Sequence, residues 1–197
     1  MIKFVTFLAV LFAISINGQS KLRVHVFYES LCPDSMNFVG NQLVPNIEAF
    51  NDYIEVVLVP FGKSRHIGNG VFTCQHGDAE CRLNRVMSCA LTQIDEQIAA
   101  VKYVGCQMKY FADRTGRQCV ESNGLDWDTV SQCHDSDLGA QLQLAAEAEQ
   151  NRIIGYPKFV PTIVYNEQFD QELQDQSLRN FPGVLCSQLG ASAAPCA

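Results

Sequence analysis

Positive charge is scarce in this chain. Lysine and arginine together number 14 against 21 aspartates and glutamates, for a net charge of −7. That balance offers no basic face to a phosphate backbone or an anionic bilayer, so nucleic acid is not an expected partner. Long apolar runs are missing too. Beyond residue 20 no segment approaches the ~20 apolar residues of a membrane helix, so no membrane span is expected. No asparagine stands in an Asn-x-Ser/Thr triplet, which removes ordinary N-glycosylation and any sorting route that depends on it. Internal repeats and low-complexity segments are absent apart from an Ala/Ser-rich tail after Gly190. The rest, 47% hydrophobic and 18% charged, is too apolar for disorder and fits one globular domain with room for an inserted subdomain. Cysteine, in contrast, is abundant. Nine occur in 197 residues, an odd number in a chain large enough to bury a core without staples, so at least one thiol is left over from any set of bridges.

The first twenty residues bear on the compartment. Lys3 precedes an apolar run over 4–16, and small residues follow at Ser15, Gly18 and Ser20. This is the pattern of a secretory leader, 1–18, with cleavage after residue 18 or 20. The run is shorter than a membrane span and has the wrong flanks for an anchor. The mature chain is therefore expected in the secretory pathway, secreted or lysosomal, where disulfides persist.

Residues 22–28 alternate Leu22, Val24, Val26 and Tyr28 with Arg23, His25 and Phe27, which predicts a strand. Residues 53–61 are more continuously apolar, as in a buried parallel strand. Between them Met36, Phe38, Val39, Leu43, Ile47 and Phe50 fall near helical spacing, and Pro45 is expected to kink that helix. The Gly-rich, polar stretch 62–77 reads as a loop. Residues 79–112 predict one helical stretch with a broad apolar stripe. Shorter helices follow at 126–133 and 137–154, with Asp126 and Asp137 as N-caps. Trp127 reads as an anchor of this region in the core, and the acidic, Gln-rich 141–150 as a solvated helix face. A strand returns at 162–165, and 176–189 predicts a last helix interrupted near Pro182. The organisation is a split α/β domain, 19–62 and 155–197, with a mostly helical insertion at 63–154 after the second strand.

The chemistry centres on Phe27-Tyr28-Glu29-Ser30-Leu31-Cys32-Pro33-Asp34-Ser35, which places a cysteine between a strand and a helix. Unpaired N–H groups and the helix dipole there favour an anion, and so the reactive thiolate. Cys-x-x-Cys in that place is the redox motif of thioredoxin-like folds, but the fourth position here is Ser35. Cys32 can attack a substrate disulfide and form a mixed disulfide, with no neighbouring thiol to resolve it. Ser35 can donate a hydrogen bond to the thiolate, whereas Asp34 opposes a second negative charge. Val160-Pro161-Thr162 puts a proline immediately before a strand. This matches the cis-proline loop that faces the active-site cysteine in such folds and pairs with substrate backbone. Cys32 and Ser35 are thus the expected catalytic positions, and Pro33, Asp34, Val160 and Pro161 the expected substrate contacts.

Residues 74–89 read Cys74-Gln75-His76-Gly77-Asp78-Ala79-Glu80-Cys81-Arg82-Leu83-Asn84-Arg85-Val86-Met87-Ser88-Cys89. They match at every fixed position the Cys-Gln-His-Gly-x2-Glu-Cys-x2-Asn-x4-Cys signature of the gamma-interferon-inducible lysosomal thiol reductase family. The chain resembles that family throughout: leader, strand-end cysteine, signature in a helical insertion, Val-Pro-Thr and a C-terminal cysteine pair. The resemblance implies an α/β, thioredoxin-like fold whose parallel or mixed sheet carries a disulfide-rich helical insertion. It also implies reduction of protein disulfides in acidic endosomes and lysosomes through a Cys-x-x-Cys pair. Of that pair only Cys32 carries over, and the Cys-x-x-Ser form resembles invertebrate members.

The other eight cysteines, Cys74, Cys81, Cys89, Cys106, Cys119, Cys133, Cys186 and Cys196, are expected to form a structural disulfide framework rather than a metal site. Cys81 and Cys89 on one helix would stand ~12 Å apart along its axis, beyond the ~7 Å Cα separation that a bridge allows. The same holds for Cys89 and Cys106. Each is expected to reach outside that helix, to Cys74, Cys119, Cys133 or the sheet domain. Cys186 and Cys196 are the easiest local pair, and the connectivity is otherwise open. Gln75-His76-Gly77 reads as the turn entering the helix, with Gly77 supplying an unusual backbone angle. His25, His66 and His134 have no partner pattern, and Glu29, Asp34 and Glu80 show no spacing that marks an acid/base pair. No metal or organic cofactor is expected, only an external small thiol as reductant. Two functions follow. One is a thiol-disulfide oxidoreductase acting on disulfide-bonded proteins through Cys32, with glutathione or free cysteine resolving the mixed disulfide. The other is a catalytically impaired, secreted thioredoxin-like binding module that holds partners in the same groove.

Overall fold

Strand β1, Leu22–Tyr28, organises the molecule. The computed structural model describes residues 20–110, 112–191 and 193–197, and the expected leader lies outside the described residues. β1 pairs in parallel with β2, Ile54–Pro60, and antiparallel with β5, Thr162–Tyr165, in a mixed sheet of order β2-β1-β5. Leu22 stands opposite Ile54 and Val24 opposite Tyr165. This register sends Val24, Val26, Tyr28, Ile54 and Ile163 into the main core. Phe27, Val59 and Val164 join Phe61 and Phe72 in a smaller cluster. Each such fully buried apolar side chain supplies about 1.5–3 kcal/mol of hydrophobic stabilisation. A central strand covered on both faces is why β1 carries apolar residues on both.

The crossover from β1 to β2 is helical throughout: α1 (Pro33–Phe38), a π turn (Val39–Leu43) and α2 (Val44–Phe50). The expected irregularity near Pro45 takes the form of that widened turn. Pro45 has no N–H to give, and its ring would meet the carbonyl four residues back. Instead Val44 N–H bonds to Val39 O, and the Asn46 side chain donates to the Gln42 carbonyl at 2.7 Å.

The region between β2 and β5 departs from the sequence reading in several places. The expected loop holds a hairpin, β3 (Arg65–Gly68) and β4 (Val71–Thr73), turning at Asn69-Gly70. Both turn residues have positive φ, 52° and 70°, as this two-residue turn requires. The expected long helix is two, α3 (Asp78–Leu91) and α4 (Gln97–Gln107), because the chain leaves α3 at Thr92, whose hydroxyl bonds to Cys89 O at 2.7 Å. Cys89 and Cys106 therefore lie on different helices, and the single-helix distance argument does not apply to them. A short α5 (Arg117–Ser122) follows. Helix α6 (Trp127–His134) starts from Asp126 as expected, with the Asp126 carboxylate accepting the Asp128 and Thr129 N–H groups. Helix α7 (Asp137–Ile153) is capped by Ser136 rather than Asp137: the Ser136 hydroxyl accepts the Leu138 N–H, and Asp137 is the first helical residue.

Helix α7 is not solvated along its whole glutamine-rich face. Gln143 is buried and donates to the carbonyls of Pro60 and Asn84 and to Ser88 Oγ. Gln150, also buried, donates to Gly62 O at 2.8 Å. These amides fasten α7 to the end of β2. Val86, Met87, Val101, Val104, Val120 and Val130 from the inserted helices share the main core with β1, and Trp127 packs half-buried against it. The last helix, α8 (Gln171–Leu189), begins earlier than expected because Asp170 caps it, and it is interrupted at Asn180 (φ −149°, ψ 66°), just before Pro182. Among the described residues no helix is long and apolar enough to cross a membrane.

Candidate functional site

Cys32 ends the loop after β1. A residue before proline is pushed to extended backbone, and proline suits the first helical turn, where an N–H would be unpaired. Cys32 accordingly sits at φ −74°, ψ 121° as the N-cap of α1, with Pro33 behind it. Its carbonyl accepts the Met36 N–H at 3.0 Å. The Cys32 sulfur lies 3.5 Å from the Val160 carbonyl, and the Val160-Pro161 bond is cis. Strand-end thiol and proline loop, far apart in sequence, thus meet. Pro33 and Asp34 are exposed, whereas Val160 and Pro161 are buried. Ser35 is fully buried, and its Oγ accepts the Glu29 N–H at 3.4 Å, so the hydroxyl faces the start of the loop. Gln174 fixes the proline loop from α8: its amide donates to Pro161 O at 2.8 Å and accepts the Ile163 N–H at 2.7 Å. Beside that loop lies a cavity of about 280 Å³, lined among others by Ile153, Ile154, Tyr156, Phe159, Thr162 and Phe169.

The segment 74–89 forms a shelf under the Cys32 loop. Gly77, at φ 82°, is the N-cap of α3. Glu80, three residues on, is fully buried. One of its oxygens accepts the His76 N–H at 3.0 Å, and the other accepts the Leu31 N–H at 3.3 Å and lies 2.6 Å from His76 Nδ1. This is a capping box displaced by one residue, since the glutamate reaches past the N-cap glycine to the residue before it. One turn later Asn84, also buried, accepts the Ser30 N–H at 2.9 Å and donates to Ser64 Oγ at 3.4 Å. The Ser30 hydroxyl donates to Glu80 O at 3.2 Å. The two backbone N–H groups before the thiol, at Ser30 and Leu31, are therefore held by side chains of α3. His76 thus does more than shape the turn that Gly77 permits.

Glu29 is buried in the same place. Its Oε1 accepts the Lys63 N–H at 2.5 Å, while Oε2 has no hydrogen-bond partner and lies 3.6 Å from His76 Nδ1. Burial pushes the Glu29 carboxyl up from 4.5 to about 7. The neighbouring Glu80 adds to this, while the Lys63 N–H and His76 oppose it. Room for the side chain comes from Gly62, where a Cβ would stand 2.4 Å from Glu29 Cγ.

The remaining cysteines are bridged as Cys74–Cys81, Cys89–Cys133, Cys106–Cys119 and Cys186–Cys196, and Cys32 is free. The bridges tie the turn to α3, α3 to α6, α4 to α5 and α8 to the tail. With their sulfurs oxidised, Cys74, Cys81 and Cys89 are not thiolate ligands for a metal. Among the described residues two other groups of side chains lie close enough together to hold a cation, His25 with Glu149 and Glu167, and Glu29 with His76 and Glu80. Sequence reasoning gave Glu29, Glu80 and Asn84 no function. The available signal was the His76/Glu80 spacing of four with a glutamate three after Gly77. Glu29 had none, because its burial depends on Gly62 across the sheet.

A free thiol at the N-cap of the first helix, beside a cis-proline loop that opens an antiparallel strand of a mixed sheet, defines the thioredoxin-like class. The fold is similar to the crystal structure of Chlamydia trachomatis DsbA, with a TM-score of 0.62 at 13% identity over 87% of this chain and 88% of that one. The family model described as gamma interferon inducible lysosomal thiol reductase (GILT) matches residues 23–123. A gamma-interferon-inducible lysosomal thiol reductase-like protein of Anopheles gambiae is 34% identical over 202 residues, covering 94% of this chain and 84% of that protein. GILT-like protein 1 of Drosophila melanogaster is 34% identical over 191 residues, covering 87% and 76%. The chain belongs to the GILT family.

Proposed function

We propose that this chain is a thiol-disulfide oxidoreductase that reduces protein disulfides through Cys32 alone. The observation that carries the reading is the position of the free cysteine, at the N-cap of α1 and 3.5 Å from the carbonyl that precedes Pro161. Membership of the GILT family and the thioredoxin-like fold support the oxidoreductase class. The Cys32 thiolate attacks one sulfur of a substrate cystine and bonds to it; the substrate S–S bond breaks, and the other sulfur leaves as a thiolate that takes a proton from solvent. Ser35 stands where a resolving thiol would be. A small thiolate, of glutathione or free cysteine, therefore attacks the Cys32 sulfur and releases the second substrate thiol. A second small thiolate then attacks the small-thiol sulfur of the new mixed disulfide, restoring Cys32 and departing as a small disulfide. Two electrons pass from two small thiols to one substrate disulfide, and the balance needs no further cofactor.

In this reading Pro33 and Asp34 form the exposed rim of the site, and Val160 and Pro161 receive the substrate backbone. The cavity beside them, where Ile153, Phe159 and Phe169 meet Lys158 and Gln171, takes flanking side chains. Residues 19–62 and 155–197 carry the thiol and the proline loop, and 63–154 supplies the shelf. Four bridges suit a secretory compartment, secreted or lysosomal.

The test is turnover of a disulfide-bonded protein with glutathione or cysteine, at about pH 5 and about pH 7. Cys32→Ser is expected to lose at least about 100-fold, the scale on which removing a nucleophile acts. Equal rates would overturn the reading. Stoichiometric capture of partners by wild type without turnover would instead identify a binding module.

A further inference from the structure

The exposed apolar surface of this chain is gathered rather than spread. Of the seven large hydrophobic side chains that stand exposed among the described residues, Tyr156, Phe159 and Phe169 line one cavity. Half-buried Ile153 and Ile154, from the end of α7, share that lining. Single exposed apolar side chains need no explanation, but a group of them marks an interaction surface. At about 280 Å³ the cavity falls at the bottom of the ~300–1,000 Å³ range of ligand pockets, which suits one large side chain better than a cofactor.

The cavity is continuous with the proline loop. Phe159 adjoins Val160, whose carbonyl lies 3.5 Å from the Cys32 sulfur. Thr162 and Gln174 line the cavity and also hold that loop: the Thr162 hydroxyl donates to Phe159 O at 2.6 Å, and the Gln174 amide to Pro161 O at 2.8 Å. An occupant therefore meets a wall already fixed relative to the thiol, which lowers the ordering cost of binding. Cations stand at one end. Lys158 lines the cavity and is exposed, and the Arg65 guanidinium lies 4.2 Å over the Tyr156 ring. Neither forms an ion pair among the described residues. Unpaired cations are a departure in a chain of net charge −7. At the other end the acid beside Phe169 is Asp170, whose carboxylate accepts the Leu173 N–H as the cap of α8.

We propose that this cavity selects the substrates of Cys32. It takes an aromatic or long aliphatic side chain beside the substrate cystine, and Lys158 and Arg65 favour an acidic residue next to it. The occupant is an extended segment of the disulfide-bonded protein. Phe159 is one residue from the contact with Cys32, and an extended chain advances ~3.3–3.6 Å per residue, so the selected side chain belongs within about two residues of the reacting cysteine. The inference rests on the reading of Cys32 as the nucleophile.

The test uses short peptides whose one cysteine is joined by a disulfide to a small aromatic thiol. The Cys32 thiolate bonds to the peptide sulfur, the peptide–aromatic S–S bond breaks, and the aromatic thiolate, the better leaving group, departs as a chromophore. The peptides carry Phe, Leu or Ser within two residues of the cysteine on either side, and Asp or Lys next to that position. Each rate is divided by the rate of the same peptide with free glutathione, which removes differences in intrinsic reactivity. Phe and Leu peptides are expected to react about 10- to 100-fold faster than Ser peptides, the scale on which an apolar pocket discriminates. Phe169→Ser and Phe159→Ser are each expected to remove most of that ratio. Asp is expected to exceed Lys by about two- to fivefold, a preference lost in Lys158→Ser and at high salt. Equal ratios for Phe and Ser with a reactive Cys32 would overturn the selection and leave the nucleophile in place, whereas a Cys32 inert toward every peptide would overturn both. A preference that survives both Phe variants would remove it from this cavity. Dimerisation that the two variants abolish, without any peptide preference, would give the face to a second copy of the chain instead. Should the variants fail to fold, the ring NMR signals of Phe159 and Phe169 are followed in wild type as peptide is added. Shifts with the Phe peptide and not with the Ser peptide support the proposal, and the same response to both overturns it.

Discussion

His25 and His76 each lie against two glutamates, but the two clusters handle charge in different ways. His25, on β1 and 1% exposed, contacts Glu149 of α7 at 3.0 Å. Glu149 and Glu167 are both partly open to solvent and both are bridged by Arg152, and Glu167 also meets Arg23. The Arg152 guanidinium holds Glu167 down to about 2, and Glu149 is lowered for the same reason, with His25 contributing. Around His76 the carboxylates of Glu29 and Glu80 are 0% exposed and no arginine reaches them. Their partners are backbone N–H groups and one imidazole. Arginine fixes the charge of the first cluster, and its absence leaves the second with a carboxyl that exchanges a proton near neutrality. The same residue types thus build an ion network that ties α7 to the sheet and, next to the thiol, a site that can titrate.

The sharpest way to break this contrast is to remove one glutamate from each cluster. Glu80→Ala removes the buried carboxylate that pairs the half-buried Leu31 N–H and the His76 N–H, and a loss of about 2–4 kcal/mol is expected in denaturant unfolding. A smaller effect separates the clusters by pH. Glu29 is raised in the fold from 4.5 to about 7, so its contribution to stability is complete below about pH 4.5 and is lost as pH rises through about 7. Unfolding followed across that range is expected to show a fall of about 2 kcal/mol, once solvent screening is allowed for, that Glu29→Gln abolishes. His25 runs the other way. Burial lowers it from 6.5, with Glu149 opposing, so its contribution is complete above about 6.5 and is lost as pH falls through its lower folded value. The smallest effect belongs to the arginine-bridged cluster, where Glu149→Gln is expected to cost at most about 1 kcal/mol and to leave the rate of Cys32 unchanged.

What could be read from sequence was local. The alternation of 22–28, the strand-end cysteine and the proline before 162–165 each depend on neighbouring residues, and the structure brings their products together at Cys32 and Val160. Membership of the cysteine framework was legible, but its connectivity was not. Ile94 and Ile98 continue the apolar stripe across Thr92, so nothing in the periodicity marks the break between α3 and α4. The Asn69-Gly70 turn was written in the chain, but β3 is short and exposed and gives no alternation to accompany it. Gln143 and Gln150 read as part of a solvated face, and Glu29 showed no partner pattern, because their partners, Pro60 O, Gly62 O and Lys63 N–H, lie at the end of β2 and in the turn after it. Only tertiary structure brings that strand end to them. Glu80 and Asn84 stood inside a recognised signature, yet their work becomes visible only when the 29–32 loop is laid across α3.

The central claim is that one free thiol, held on a shelf of bridged helices, carries the exchange. It is tested most directly by acid-quenching the protein during reduction of a disulfide-bonded substrate with glutathione and mapping every cysteine by mass spectrometry. The account predicts Cys32 joined to substrate or glutathione, with the other eight cysteines still paired as Cys74–Cys81, Cys89–Cys133, Cys106–Cys119 and Cys186–Cys196. Substrate reduced while Cys32 remains unmodified, or a mixed disulfide at any of the eight, would contradict it.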